Sequence, residues 1–141
     1  MKHSQDYPLK ARPMIGLADE YAAGFVDPRH SHEHAQFLYA SSGVMSVVTP
    51  DTSFVIPPQR ALWLPAGMPH EVSCRGAVSL RTLYIDPAHD PEPDRCRVLE
   101  VSDFLRALVL EVVAFPGEYD LHGREGRIVW LLLDEIARMP G

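Results

Sequence analysis

Gly24-Phe25-Val26-Asp27-Pro28-Arg29-His30-Ser31-His32-Glu33-His34-Ala35-Gln36-Phe37-Leu38-Tyr39-Ala40-Ser41-Ser42-Gly43 is the stretch whose reading decides the fold. From His30 onward it alternates. His30, His32, His34 and Gln36 share one face of an extended strand, and Leu38 and Ala40 continue that face. Ser41-Ser42-Gly43 reads as the turn that ends it. Residues i and i+2 of a strand lie about 6.8 Å apart and point the same way. Two imidazoles at that spacing can converge on one ion at about 2.0–2.1 Å each. A third ligand must then come from a neighbouring strand, and His70 is placed to supply it. Gln36 could add an amide oxygen. His30 and His34, about 13 Å apart in a flat strand, share an ion only if the strand bulges. The plainer reading is a solvated strand face with no ion at all.

Outward from this stretch, short apolar runs alternate with turn residues. Met14–Ala18, Val44–Thr49, Phe54–Ile56, Ala61–Leu64, His70–Cys74, Ala77–Ile85 and Arg95–Val101 read as strands. Pro50-Asp51-Thr52-Ser53, Pro65-Ala66-Gly67-Met68-Pro69 and Arg75-Gly76 read as turns, and 86–94 as a proline-rich loop. Thirteen prolines and nine glycines among 141 residues suit many short strands. The pattern then changes. Ser102 is a plausible N-cap, and Phe104, Leu105, Leu108, Val109, Val112 and Val113 follow at helical spacing up to Phe115-Pro116-Gly117. Gly123–Gly126 opens a second helix with Ile128, Leu131, Leu132 and Ile136 on one face. Regular short strands favour a sandwich or barrel over a doubly wound sheet. The expected division is an arm at 1–12, a β-barrel at 13–101 and a two-helix extension at 102–141.

Composition excludes several classes. Hydrophobic residues make up 46% of the chain, enough for a packed core without staples. The longest unbroken apolar run, Ile128–Leu133, is too short to span a bilayer, so no membrane partner is expected. Two cysteines, no CxxC pair and a polar start point to a reducing, cytoplasmic setting. The formal net charge of −6 argues against this segment gripping a phosphate backbone.

The spacing of these residues resembles the two cupin motifs. Gly24-x5-His30-x-His32-x3-Gln36-x6-Gly43 follows the first and Pro65-x-Gly67-x2-His70 the second, across residues 24–74. The resemblance implies an all-β cupin (double-stranded β-helix, or jelly-roll barrel) followed by two C-terminal α-helices. It implies that His30, His32 and His70 hold a divalent transition metal. Two positions depart from the pattern. Gln36 stands where the family has a carboxylate ligand, and Cys74 where it has asparagine. Loss of the carboxylate favours Zn²⁺ or Ni²⁺ over harder ions and removes a possible general base. Gln36 is the fourth metal-ligand candidate; His34 and Cys74 are assigned to the pocket lining. Cys74 shares a face with His70 and Val72, as a thiolate near the site or as a buried thiol.

The run Gln36–Ala40, the segment Pro57–Pro65, Ser79–Tyr84 and Cys96–Ser102 before two helices resemble the N-terminal domain of AraC-family bacterial transcription regulators, over about residues 12–138. That resemblance implies a domain that senses a small-molecule effector and forms a homodimer through its C-terminal helices. DNA is then bound only by a C-terminal helix-turn-helix domain, absent from this chain, and no residue here is catalytic. Two other readings remain: a stand-alone metal-dependent cupin enzyme, such as a dioxygenase or isomerase, and a plain dimerisation module with a vestigial pocket. Against the enzyme stand Gln36 and the two-helix tail. Trp130-Leu131-Leu132-Leu133 carries more apolar surface than one contact stripe requires, which suits a partner subunit. Arg60 and Arg81 are read as meeting an anionic effector or, more plainly, as salt-bridged.

Overall fold

The structure is a computed structural model that describes residues 12–30, 33–90, 93 and 95–140. Its strands are β1 (Met14–Tyr21), β2 (Val26–His30), β3 (Ala35–Val48), β4 (Ser53–Ile56), β5 (Arg60–Leu64), β6 (His70–Ile85) and β7 (Arg97–Glu100). A short 3-10 turn, Pro87–His89, follows β6. Helices α1 (Asp103–Val113) and α2 (Arg124–Arg138) close the chain.

The frame is a long antiparallel ribbon of β3 and β6, in register from Ala35 opposite Ile85 to Val48 opposite Glu71. One half of the ribbon pairs with β1 on one side and with β5 and then β7 on the other. The other half pairs with β2 and β4. Two sheets therefore share one ribbon, and chain reach shows that the ribbon must fold. His30 stands opposite His70, and Ala35 opposite Ile85. A straight β6 would hold those ends about 50 Å apart, whereas the five residues from His30 to Ala35 reach at most about 18 Å. The ladder shifts register at Ala40–Ser42 and Ser42–Val44. Gly43 and Gly76 both adopt positive φ, 87° and 91°. A Cβ at Gly43 would lie 2.2 Å from the Ala77 carbonyl oxygen, so the strands cross there at glycine distance.

This corrects two sequence expectations. Ser41-Ser42-Gly43 and Arg75-Gly76 do not end strands. They are bends inside β3 and β6, because each faces the other and pairing resumes beyond them. Nor is His30–Ala40 one strand. β2 stops at His30, Glu33 and His34 lie in a bend, and β3 starts at Ala35. The chain changes partner there, from the beginning of β6 to its end, so the alternation that placed His30, His32, His34 and Gln36 on one face does not run through.

The helices form where the sequence reading puts them, but their buried faces differ from it: Phe104 and Leu131 are exposed, and Val129 packs inward instead. Ser102 Oγ accepts from the Leu105 amide at 3.1 Å, capping α1. Leu105, Leu108, Val109 and Val112 of α1, with Val129, Leu132 and Ile136 of α2, cover the outer face of the first sheet. Phe37, Tyr39, Trp63, Leu83 and Ile85 meet them. Tyr119, in the connector, donates its hydroxyl to the Met14 carbonyl at 2.5 Å. A second cluster fills the inner face: Leu38, Ala40, Met45, Val47, Ile56, Leu62, Leu64, Val72, Cys74, Val78 and Leu80.

Candidate functional site on the inner face of the barrel

Strand alternation sorts the candidate residues. Ala35, Phe37 and Tyr39 belong to the helix-covered cluster, whereas Leu38 and Ala40 belong to the inner one. Gln36 therefore faces inward, opposite Leu64 on β5 and Tyr84 on β6. It is 1% exposed, and its Nε2 has no hydrogen-bond partner. Tyr39 faces away from the pocket, as its phase in the sequence requires.

His70 opens β6 and shares its face with Val72 and Cys74, both members of the inner cluster. It too is 1% exposed. Its Nδ1 lies 2.9 Å from the Met68 carbonyl oxygen. A carbonyl can only accept, so Nδ1 carries the proton, and in the neutral ring Nε2 keeps the lone pair. The Pro65–Pro69 turn thus presents the Met68 carbonyl that orients the ring.

The backbone sets His30 opposite His70, with a bulge between Asp27 and His30. The His30 side chain and the whole of His32 lie outside the described residues. Among the described residues no three His, Cys, Asp or Glu side chains gather closely enough to hold a metal ion. His34 is half-buried in the bend before β3, and its buried Nδ1 has no hydrogen-bond partner.

Cys74 is buried on the inner face, and burial raises its thiol above the ordinary range, favouring the thiol over the thiolate. Its backbone anchors the entry to β2: the Gly24 amide donates to the Cys74 carbonyl at 3.1 Å, and the Cys74 amide donates to Phe25 at 2.9 Å. The two arginines considered for an anion are engaged elsewhere. Arg81 pairs with Glu20 at 2.9 Å, and Arg60 lies 3.9 Å from Glu100. Glu20 also accepts from the Ser79 hydroxyl, and these two bonds hold its carboxyl below the usual range.

One inward residue escaped the sequence reading. Asp27 is 4% exposed and stands opposite Val72. Burial raises the Tyr21 phenol well above its ordinary value, and Asp19, Asp27 and Tyr84 push it further the same way. Asp27 therefore lies on the inward face near Tyr21, opposite Val72. Asp27-Pro28 is a pair that strands disfavour, which hid β2 and the acid within it. An isolated acid between apolar Val26 and a histidine run was the available signal.

Comparison with known proteins agrees with this architecture. The model of the AraC-like ligand binding domain family matches residues 13–111, and the chain belongs to that family. It is 26% identical over 113 residues to the HTH-type transcriptional regulator NimR of Escherichia coli (strain K12), covering 80% of this chain and 41% of that protein. The chain thus spans less than half the length of this relative. Its fold is similar to ToxT from Vibrio cholerae O395 in complex with (E)-4-(8-methylnaphthalen-1-yl)but-3-enoic acid. The TM-score is 0.66 at 8% identity, over 90% of this chain and 56% of that one. An RmlC-like cupin from Shewanella frigidimarina matches with a TM-score of 0.49 at 18% identity, over 52% of this chain and 67% of the other. The described chain contains no helix long and apolar enough to cross a membrane.

Proposed function

We propose that this domain is the effector-sensing and dimerisation module of a cytoplasmic AraC-type transcription regulator. In this reading the inner face of the barrel takes a small molecule, alone or through a Zn²⁺ or Ni²⁺ ion held by His30, His32 and His70. The observation that carries it is the His70 ring, buried on the inner face and oriented through Nδ1 so that Nε2 can serve as a ligand atom. His30, opposite it in register, is the natural second ligand. Membership of a ligand-binding family and similarity to a transcriptional regulator support the sensing role. DNA would be held by a helix-turn-helix domain outside this chain.

Signalling would work by population shift. An effector that prefers one arrangement of barrel, helices and partner subunit repositions the DNA-binding domains, and one without such a preference switches nothing. The exposed Phe104, Trp130 and Leu131 on the helices are the surface for a second copy.

Metal analysis of protein purified without a nickel column tests the ion. Stoichiometric metal in the wild type, lost in His70→Ala, is the expected result. Metal far below stoichiometry in folded wild type would remove the ion and leave the sensing role. Sedimentation tests the dimer: the wild type should be a dimer that Leu131→Asp converts to a folded monomer. A wild type that stays monomeric at every concentration would overturn it.

A further inference from the structure

Gln36 is one of the buried side chains that keep a polar atom without a hydrogen-bond partner. Two registers fix its place, opposite Leu64 and opposite Tyr84, with Leu38 and Leu62 the next inward pair. It is 1% exposed, and its amide nitrogen has no acceptor. A buried donor without an acceptor costs stability, so such a group is kept where something else supplies the acceptor. A metal ion cannot do so, because the amide NH2 carries two protons and offers no ligand lone pair.

The electrostatics narrow the class of molecule. Asp27 is buried on the same inward face, and both Asp27 and Tyr84 act on the Tyr21 phenol. The acid and the amide thus both belong to the inner face, Asp27 opposite Val72 and Gln36 opposite Tyr84. Among the described side chains, no buried lysine or arginine shares that face. The buried Arg97 stands opposite Trp63, on the helix-covered side. A carboxylate bound on the inner face would add a second negative charge to a lining that already buries Asp27 and holds no described buried lysine or arginine. A cation would bring no acceptor. Leu38, Leu62, Leu64 and Leu80 supply an apolar lining.

We propose that Gln36 is a hydrogen-bond donor to the effector, and that the effector is an uncharged molecule presenting a carbonyl-type oxygen on a largely apolar body. The assignment rests on the inner face being the effector pocket. It gives the Gln36 Nε2 a specificity role and leaves its Oε1, the only atom of the amide that could bind a metal, unassigned.

The test uses ¹⁵N-labelled, EDTA-treated protein and four probes: N-methylacetamide and benzamide as neutral carbonyls, acetate and benzoate as their anions. The Gln36 side-chain NH2 signals are assigned by their loss in Gln36→Leu, with Gln36→Met as a second variant should leucine disturb the fold. A neutral probe should move the Gln36 NH2 pair downfield. Its Kd should rise about five- to tenfold in either variant, the effect of one lost neutral hydrogen bond, while each anion binds more weakly than its amide. Probes that shift the backbone amides of Leu38, Leu62 and Leu80 but leave the Gln36 pair unmoved would overturn the donor role and leave the pocket standing. So would a Gln36 pair that keeps a cross-peak to water when a neutral probe is bound. Benzoate binding more tightly than benzamide would overturn the neutral class. If no probe perturbs any inward residue, both the pocket and the donor role fall.

Discussion

Leu62 and Trp63 are neighbours on β5, and they face two different environments. Trp63 is fully buried beneath α1 and α2, among Phe37, Tyr39 and Leu83, in a face packed with aromatic and branched side chains. Leu62 faces the barrel interior, where the cluster is mostly aliphatic and sulphur-containing and the polar groups Asp27, Gln36 and His70 share the space. Both faces exclude water, but they do so for different ends. The helix-covered face tolerates no gap: a Cβ at Gly16 would lie 2.8 Å from Val113, and one at Gly126 only 1.7 Å from the Leu121 carbonyl oxygen. The inner face keeps a buried amide nitrogen with nothing to donate to. The outer face is packed beneath the two helices, where Trp63 Nε1 also lacks an acceptor; the inner face holds Gln36 Nε2 in an aliphatic cluster to which, among the described residues, no helix contributes.

The comparison predicts effects of opposite sign. Trp63→Ala removes the largest fully buried side chain from the outer face, and should lower unfolding free energy by about 3–5 kcal/mol in urea titration. A loss below about 1 kcal/mol would mean that the helices do not clamp the sheet as described. Gln36→Leu should do the reverse. It replaces an unsatisfied buried amide by an aliphatic side chain of similar volume beside Leu38, Leu62 and Leu64. The ligand-free protein should gain about 1–2 kcal/mol and melt several degrees higher. Destabilisation of similar size would show that the amide is already satisfied in the free protein, and would erase the contrast between the faces.

Much of this contrast was legible in the chain. Period-two alternation placed Gln36, Leu38 and Ala40 against Phe37 and Tyr39, because a one-residue step always changes face. The 3.6-residue period of Leu105, Leu108, Val109 and Val112 marked the helix that covers the sheet. What local reading missed was long-range pairing. Gly43 and Gly76 look like ordinary turn glycines, and only their meeting across the β3–β6 ribbon makes them bends in continuous strands. The break after His30 has the same origin, since nothing in His30–Ala40 announces that the chain must move to the other end of β6. Asp27 was missed because burial of an acid is decided by what folds over it. Trp130 shows the limit on the helices. It is 42% exposed, and its ring meets His89 edge-on at 5.2 Å, a loop contact invisible to helical periodicity.

The smallest expected effect separates the faces by pH. Tyr119 lies on the helix-covered side, where burial pushes its phenol up to about 12, against smaller opposing contributions from the Met14 carbonyl and Arg12. In the unfolded chain a phenol titrates near 10. Between about pH 10 and 12 the unfolded state therefore loses this proton while the folded state keeps it, and stability must fall as pH rises through that window. Tyr119→Phe removes the linkage together with the 2.5 Å bond to Met14. At pH 7 it should cost about 1 kcal/mol, the net worth of one hydrogen bond. Its urea midpoint should then decline less steeply than that of the wild type between pH 10 and 12. A residual slope must remain, because the inward Tyr21 is raised in the same direction by burial and by its acidic neighbours. Tyr21→Phe should reduce that remainder further, and the Cys74 and Cys96 thiols, both raised by burial, keep the rest. Parallel declines in wild type and Tyr119→Phe would show that the connector hydroxyl is not held against β1, and that the outer face is looser than its packing implies.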